Sequence, residues 1–397
     1  MRILIVGAGI GGPTLAYWLL RSGHQPTLIE SAPRLREGGY LVDFWGAGFD
    51  VAQRMGIVPE LMEKGYRPRE LREVKADGRV VVALDPRQMI DDAAGGVAGR
   101  YVTVARTDLA SAIYDAAQGQ VETIFGQTVN LIRDDGTRVQ VEFTGGETRE
   151  FDLVIGADGL HSRVRRTVFG PDADYQRDLG LVVAAFDVDG YEPRDEMVAV
   201  SDTEVGFQSL RFARRDGATM LIFTVRYDGE VPEEDPAAQQ ELLRGLLAGA
   251  GGEVPAMLAR MPEARTFYFD RASQIRMPSW SHGRVALIGD AAACPSLLAG
   301  QGSALAMVEA YELAAELRRS GGDHLAAFVG YHQRLAPLVL AKQNAAIGLG
   351  AAFAPRNRAQ LLLRDTAMRM MTVRSISRLI MRRSLRDPIQ ISPVPTG

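Results

Sequence analysis

Arg2-Ile-Leu-Ile-Val6, Gly7-Ala-Gly9-Ile-Gly-Gly12, Pro13 to Ser22, Gly23 and Pro26-Thr-Leu-Ile-Glu30 follow one another without interruption. The first five residues are an almost purely apolar run, as expected of a strand buried on both faces. Leu15, Leu19 and Leu20 recur at helical spacing, and Gly23 stops that helix. The order is therefore strand, glycine turn, helix, strand, acid. In that order Gly7 makes the tight turn, Gly9 lets backbone approach a pyrophosphate, and Gly12 lets the helix pack close to the strand. Glu30 stands 18 residues after Gly12, where a carboxylate can accept the ribose hydroxyls of an adenosine. A lone G-x-G-x-x-G is weak in a chain with 42 glycines. With both strands, the helix and the acid in place it reads as a dinucleotide site. Glu30 disfavours a 2′-phosphate, which leaves FAD or NAD.

The rest of the composition narrows the class. At 397 residues the chain allows two or three domains and a large core. Its 46% hydrophobic and 24% charged residues suit a globular protein. A net charge of −4 does not favour nucleic acid as a partner. Cys294 is the single cysteine, which excludes a disulfide framework, a cysteine metal site and paired redox thiols. His24, His161, His282, His324 and His332 form no metal spacing, so no metal is expected. A core strand begins within two residues of Met1, so no cleavable signal peptide is expected. No run of 18 apolar residues suggests a membrane span. A cytoplasmic monomer or homodimer is expected.

Along the chain, Gly38 to Phe44 should pass back towards the first strand, and Phe49–Met55 should be helical. Leu71 to Leu84 reads as a hairpin turning on Asp77-Gly78. Asp91–Gly99 reads as a mobile loop. Leu109–Ala117 reads as a helix capped by Thr107 or Asp108. Phe151 to Gly159 is a second buried strand entering a glycine turn, followed by Leu160–Phe169. Leu181–Val188, Met197–Ser201, Gly206–Ala213, Met220–Tyr227 and Arg265–Arg271 alternate as strands of an inserted, mainly antiparallel sheet. Arg284 to Asp290 returns to buried-strand character, and Ser303–Arg319 is a helix. Beyond Gly330 the chain is helical and increasingly basic, with Leu361, Met368, Ile376 and Leu379 spaced to pack across two domains. The expected fold is α/β: a Rossmann-like cofactor domain (1–70, 98–175, 272–335), a substrate sheet (71–97, 176–271) and a long C-terminal helix (336–397).

Three motifs now stand in order: Gly7-x-Gly9-x-x-Gly12, Asp158-Gly159-x-x-Ser162-x-x-Arg165 and Gly289-Asp290-Ala-Ala292. Together they resemble the class A flavoprotein monooxygenases, the single-component aromatic hydroxylases, from residue 1 to about 345. The resemblance implies that Gly7, Gly9, Gly12 and Glu30 hold the ADP half of FAD. It matches Arg36 to an arginine reaching the cofactor from the loop after the second strand. It matches Arg106 to the arginine at the flavin's phosphate–ribityl region. Asp158 and Arg165 belong to the motif linked to FAD and NAD(P)H use. Asp290 would take the ribityl hydroxyls, and the Ala291 backbone the pyrophosphate. Gly300 and Gly302 would pass beside the isoalloxazine, with the following helix aimed at its N1–C2=O edge. The family departs here at Ala293, Ser296-Leu297 and Ser303-Ala304, where many relatives carry histidine, a proline pair and asparagine.

The reaction implied is hydroxylation of an aromatic or polyketide-like small molecule, with NAD(P)H reducing FAD and O2 forming a C4a-hydroperoxyflavin. No side chain is named as catalytic, because the flavin performs the chemistry. A reductase or halogenase on the same fold and a non-catalytic FAD-binding protein are the alternatives. The halogenase motif Trp-x-Trp-x-Ile-Pro is missing. The pocket should lie between the inserted sheet and the Pro295–Gly302 loop. Phe186, Phe207, Arg211, Phe223, Pro295 and Leu297 are its candidate lining. Alternation sends some strand residues towards the flavin and others towards an outer helix, and the pattern does not choose between the two faces.

Overall fold

A computed structural model describes residues 1–35, 40–93, 100–117, 119–232, 235–373, 389 and 391–393. Arg2–Val6 lies inside a six-stranded sheet. The strand order is Ser281–His282, Val285–Leu287, Leu153–Gly156, Arg2–Val6, Gln25–Glu30, Glu122–Phe125. All neighbours are parallel except the Ser281–His282 edge. Ile3, Leu4 and Ile5 are fully buried, as an apolar run with no alternation requires. The helices Gly11–Arg21 and Gly302–Arg319 pack on this sheet and share its core.

The second sheet has seven strands. Their order is Phe267–Ile275, Gln176–Asp189, Ala218–Arg226, Phe207–Ala213, Val198–Glu204, Glu70–Val74, Val80–Leu84. It is antiparallel except where Val198–Glu204 meets Glu70–Val74. The hairpin read at Asp77-Gly78 is present and extends this sheet. Helices Pro236–Leu246 and Val254–Ala259 cover its outer face, where Leu243, Leu247, Val254 and Met257 meet Val182, Ala184, Leu221 and Val225.

Several local readings are corrected. Leu41–Trp45, where only a passage back towards the first strand was expected, pairs with Tyr101–Ala105 in a two-stranded ribbon. The next helix begins at Arg106, so Thr107 and Asp108 lie inside its first turn and do not cap it. Pro86–Ala93 is helical, and the rest of the loop expected at Asp91–Gly99 lies outside the described residues. Thr148–Phe151 adds a strand to Val139–Phe143 and Val129–Asp134.

The C-terminal helix His324–Phe353 runs 30 residues, so a boundary at 335/336 would cut it. Arg358–Met370 follows, capped by Asn357. Of the leucine–methionine stripe expected there, Ile376 and Leu379 lie outside the described residues. The helix docks by charge instead. Arg364 reaches the buried Glu73 at 2.8 and 2.9 Å, and Asp365 meets Lys75 at 2.8 Å. Among the described residues no helix is long and apolar enough to cross a membrane, and no group of His, Cys, Asp and Glu could hold a metal.

Candidate functional site

The glycine turn is built by contacts that exclude any side chain. Gly7 has φ +110°, and a Cβ there would lie 2.5 Å from the Ala157 carbonyl oxygen. A Cβ on Gly12 would lie 1.9 Å from the Gly7 oxygen, so the helix can approach the turn because position 12 is bare. A Cβ on Gly9 would meet only an Arg106 guanidinium nitrogen, at 3.8 Å. Its bare face therefore opens towards Arg106. Glu30 turns back on the same loop: Oε2 accepts from Ala8 N at 2.8 Å, and Oε1 accepts from Ala32 N at 2.9 Å. Arg36 lies outside the described residues.

Asp158 and Arg165 form a brace. The Asp158 carboxylate accepts from Ser162 Oγ at 2.5 Å, Arg163 N at 2.7 Å and Val164 N at 3.1 Å, which holds the N-terminus of helix Arg163–Val168. Arg165 is fully buried. Its Nη1 donates to the Ala291 carbonyl at 3.0 Å, and Nη2 donates to Leu160 O at 2.6 Å and Asp172 Oδ1 at 2.7 Å. The second motif thus grips the third. Beside it, His161 meets Asp270 on the second sheet at 3.3 Å, and that carboxylate raises the imidazole pKa.

The third motif turns at Gly289, φ +62°. Gly289 N donates to Glu309 Oε2 at 2.5 Å, and the Tyr331 hydroxyl reaches the same oxygen at 3.2 Å. Burial pushes the Glu309 carboxyl up to about 8. Burial raises Asp290 as well, while the Arg106 charge and the Cys294 thiol oppose the rise. The buried Cys294 thiol is itself pushed well up, which makes it inert as a nucleophile. Ser296 holds a positive φ of 92° without being glycine, and Gly300 follows at +63°. Gly302 opens the long helix, with its Cβ position 3.6 Å from Asp290 Oδ1.

Alternation settles the lining of the second sheet, and four pocket candidates fall on the wrong face. Phe186 and Phe223 stack at 6.0 Å within the outer cluster, and Phe207 packs against it. Arg211 faces outward too, bound to Glu253 and Asp195 at 2.9 Å each. The inner face carries Leu210, Phe212, Met220 and Ile222, with Tyr40 packed among them. Leu297 packs with Ile222, Leu181 and Val183 on this side, and the Pro295 carbonyl accepts from Gln274. Tyr40 and Tyr268, 5.2 Å apart between ring centres, stand within the electrostatic reach of Asp290 and Cys294. Burial raises both phenols. Sequence reasoning missed this pair. The alternation of Phe267-Tyr268-Phe269-Asp270 carried the signal for Tyr268. It also missed Glu309, seven residues into the helix from Gly302 and hence on the same helical face.

These residues fit a flavin dinucleotide: a bare turn facing Arg106, a helix N-terminus at Gly302, and a carboxylate between them. The comparisons agree. The family described as "FAD binding domain" matches residues 1–323. A flavin-dependent monooxygenase from an unknown prokaryotic organism is 34% identical over 353 residues, 89% of this chain and 90% of its own. The crystal structure of tetracycline destructase Tet(51) is 31% identical and superposes with a TM-score of 0.81, covering 98% of this chain and 99% of its own. Klebsiella pneumoniae HpxO complexed with FAD and uric acid, at 24% identity and a TM-score of 0.79, shares the fold over 98% of each chain. The chain belongs to the FAD-binding-domain family and is a class A FAD-dependent monooxygenase.

Proposed function

We propose that the enzyme consumes NAD(P)H and O2 to hydroxylate a large, mostly neutral, planar molecule such as a polycyclic phenol or polyketide. One observation carries the substrate class. The central strands of the sheet contain two arginines that could clamp a carboxylate, and both are engaged elsewhere. Arg211 is ion-paired on the outer face. Arg226 donates to the Ala354 and Gly350 carbonyls at 2.6 and 3.3 Å, at the end of helix His324–Phe353. The inner wall is left to Leu210, Phe212, Met220, Ile222 and two phenols, with the neutral Gln208 and Thr224 on the same face. Such a wall suits fused rings carrying oxygen substituents. The likeness to a tetracycline destructase supports the same class. The test is NAD(P)H oxidation with product mass for fused-ring phenols beside benzoates. Fused-ring phenols are expected to give oxygenated product. Tight coupling with small benzoates instead would refute the substrate class.

In this reading residues 1–70, 98–175 and 272–335 serve the cofactor, and 71–97 with 176–271 serve the substrate. Bound FAD supplies the oxygen-activating chemistry once NAD(P)H has reduced it. The chain's own residues bind and orient. Gly7, Gly9, Gly12 and Glu30 receive the adenosine and pyrophosphate, and Arg106 and Asp290 the ribityl region. The N-terminus of helix Gly302–Arg319 favours negative charge near the ring. Arg165 and Asp158 act one step back, as positioning residues that fix the Ala291 turn. The sheet and the Pro295–Leu298 loop exclude water. If Asp290 accepts from ribityl hydroxyls, Asp290→Ala leaves those groups unpaired. It is expected to cost roughly 1–3 kcal/mol, one to two decades of FAD affinity, by fluorescence titration of the apoprotein. Unchanged affinity would remove Asp290 from the site.

A further inference from the structure

A cavity lies on the outer face of the seven-stranded sheet, away from the residues assigned to the flavin. Asp202 on Val198–Glu204 stands opposite Ser209 on Phe207–Ala213, and Arg211 is two residues further along. Asp202 and Arg211 are therefore diagonal neighbours on one face. A long side chain so placed is within reach of its diagonal neighbour, yet the two do not pair. Arg211 is drawn the other way, its Nε to Glu253 and its Nη2 to Asp195. Its Nη1 has no hydrogen-bond partner among the described residues, although Arg211 is only 4% exposed. Asp202 is 9% exposed, and its Oδ1 likewise has no partner among the described residues. Burial and the nearby Glu204 and Glu73 push its carboxyl up to about 6. Both side chains line one cavity of about 130 Å³, with Val74, Lys75, Ser209, Gly252, Glu253 and Met257; Lys75 is paired with Asp365 and Glu253 with Arg211, so the lining carries two charges of each sign. A water molecule takes about 30 Å³ of liquid volume, so the space exceeds one bridging water.

We propose that this cavity binds a small molecule whose single planar group offers a carbonyl oxygen to Arg211 Nη1 and an N–H to Asp202 Oδ1: a primary carboxamide or a urea. The charges select that class. A carboxylate would satisfy Arg211 but set a second anion against Asp202. An ammonium would satisfy Asp202 but face the guanidinium. A neutral amide carries acceptor and donor on neighbouring atoms and opposes neither. The apolar side chains of Val74 and Met257 suit its short hydrocarbon part.

The test uses the FAD-loaded full chain and saturation-transfer NMR with acetamide and methylurea, with acetate and N,N-dimethylacetamide as controls. Affinities in the millimolar range are expected, about what four or five heavy atoms allow. Dimethylacetamide, which lacks the N–H, and acetate should bind about tenfold more weakly or not at all. Asp202→Ala removes a carboxylate whose Oδ1 has no partner among the described residues, so it should fold and lose about tenfold in acetamide affinity. Ser209→Met keeps both polar groups, fills the cavity and should abolish binding. Equal binding of acetamide by wild type and both variants would overturn the proposal. So would preference for acetate, or a crystal structure grown with saturating acetamide that shows water alone between the two side chains. None of these measurements depends on turnover, so the outcome is separate from that of the substrate assignment.

Discussion

Arg165→Met is expected to lower the stability of the protein by roughly 2–4 kcal/mol, because two backbone carbonyls lose their buried donor and the partly exposed Asp172 keeps only Arg166. The guanidinium is fully enclosed and donates to Asp172, Leu160 O and Ala291 O at once. Methionine fills similar space and makes none of these bonds. The Ala291 carbonyl then loses its anchor, and the turn that begins at Gly289 is free to shift. Two readouts should move together: the urea midpoint of the apoprotein and its affinity for FAD. Arg165→Lys retains the charge but not the fork, and should fall between wild type and Met. A methionine variant with wild-type midpoint and wild-type affinity would show that the brace contributes nothing.

The second large effect concerns pH. Glu309 is 1% exposed and its carboxyl is pushed up to about 8 from an ordinary 4.5. The Gly289 N–H and Tyr331 hydroxyl favour its charged form, while burial and the Asp290 charge oppose it more strongly. A folded-state value above the unfolded one means the folded protein holds the proton more tightly. The associated stability is complete below about pH 4.5 and is lost as pH rises through about 8. Between pH 5 and 8 the loss amounts to roughly 3 kcal/mol. Glu309→Gln keeps the shape and an acceptor for Gly289 N, but has no proton to lose. Urea unfolding at both pH values should therefore show wild type weakening relative to the variant. Parallel curves for the two proteins would contradict the assignment.

The cofactor half was legible because its constraints are local. A bare position at Gly12, a turn at Gly7 and an acid at Glu30 follow from covalent geometry within thirty residues. The inserted sheet was legible as strands but not as faces. A strand's alternation fixes which residues lie together, and it leaves open which set faces the flavin. That depended on two helices, Pro236–Leu246 and Val254–Ala259. Their leucines and methionines claim Phe186 and Phe223, and Glu253 claims Arg211. The docking of Arg358–Met370 was misread for a related reason. Its apolar spacing promised a buried stripe, yet the contact is made by Arg364 with Glu73, nearly three hundred residues earlier in the chain. Pairings at such separation leave no periodic trace.

The two faces of the seven-stranded sheet also divide labour in a way that bears on how such an enzyme changes over generations. The outer face is locked to helices by packed rings and ion pairs, so most replacements there are purged for loss of folding. The inner residues Leu210, Phe212, Met220 and Ile222 alternate with that locked set along the same strands. Leu210 and Ile222 are only partly buried, so either can be exchanged at less cost than the buried Phe212 and Met220. If this wall meets the substrate as proposed, ligand range drifts by single steps at those two positions while the outer scaffold stays intact.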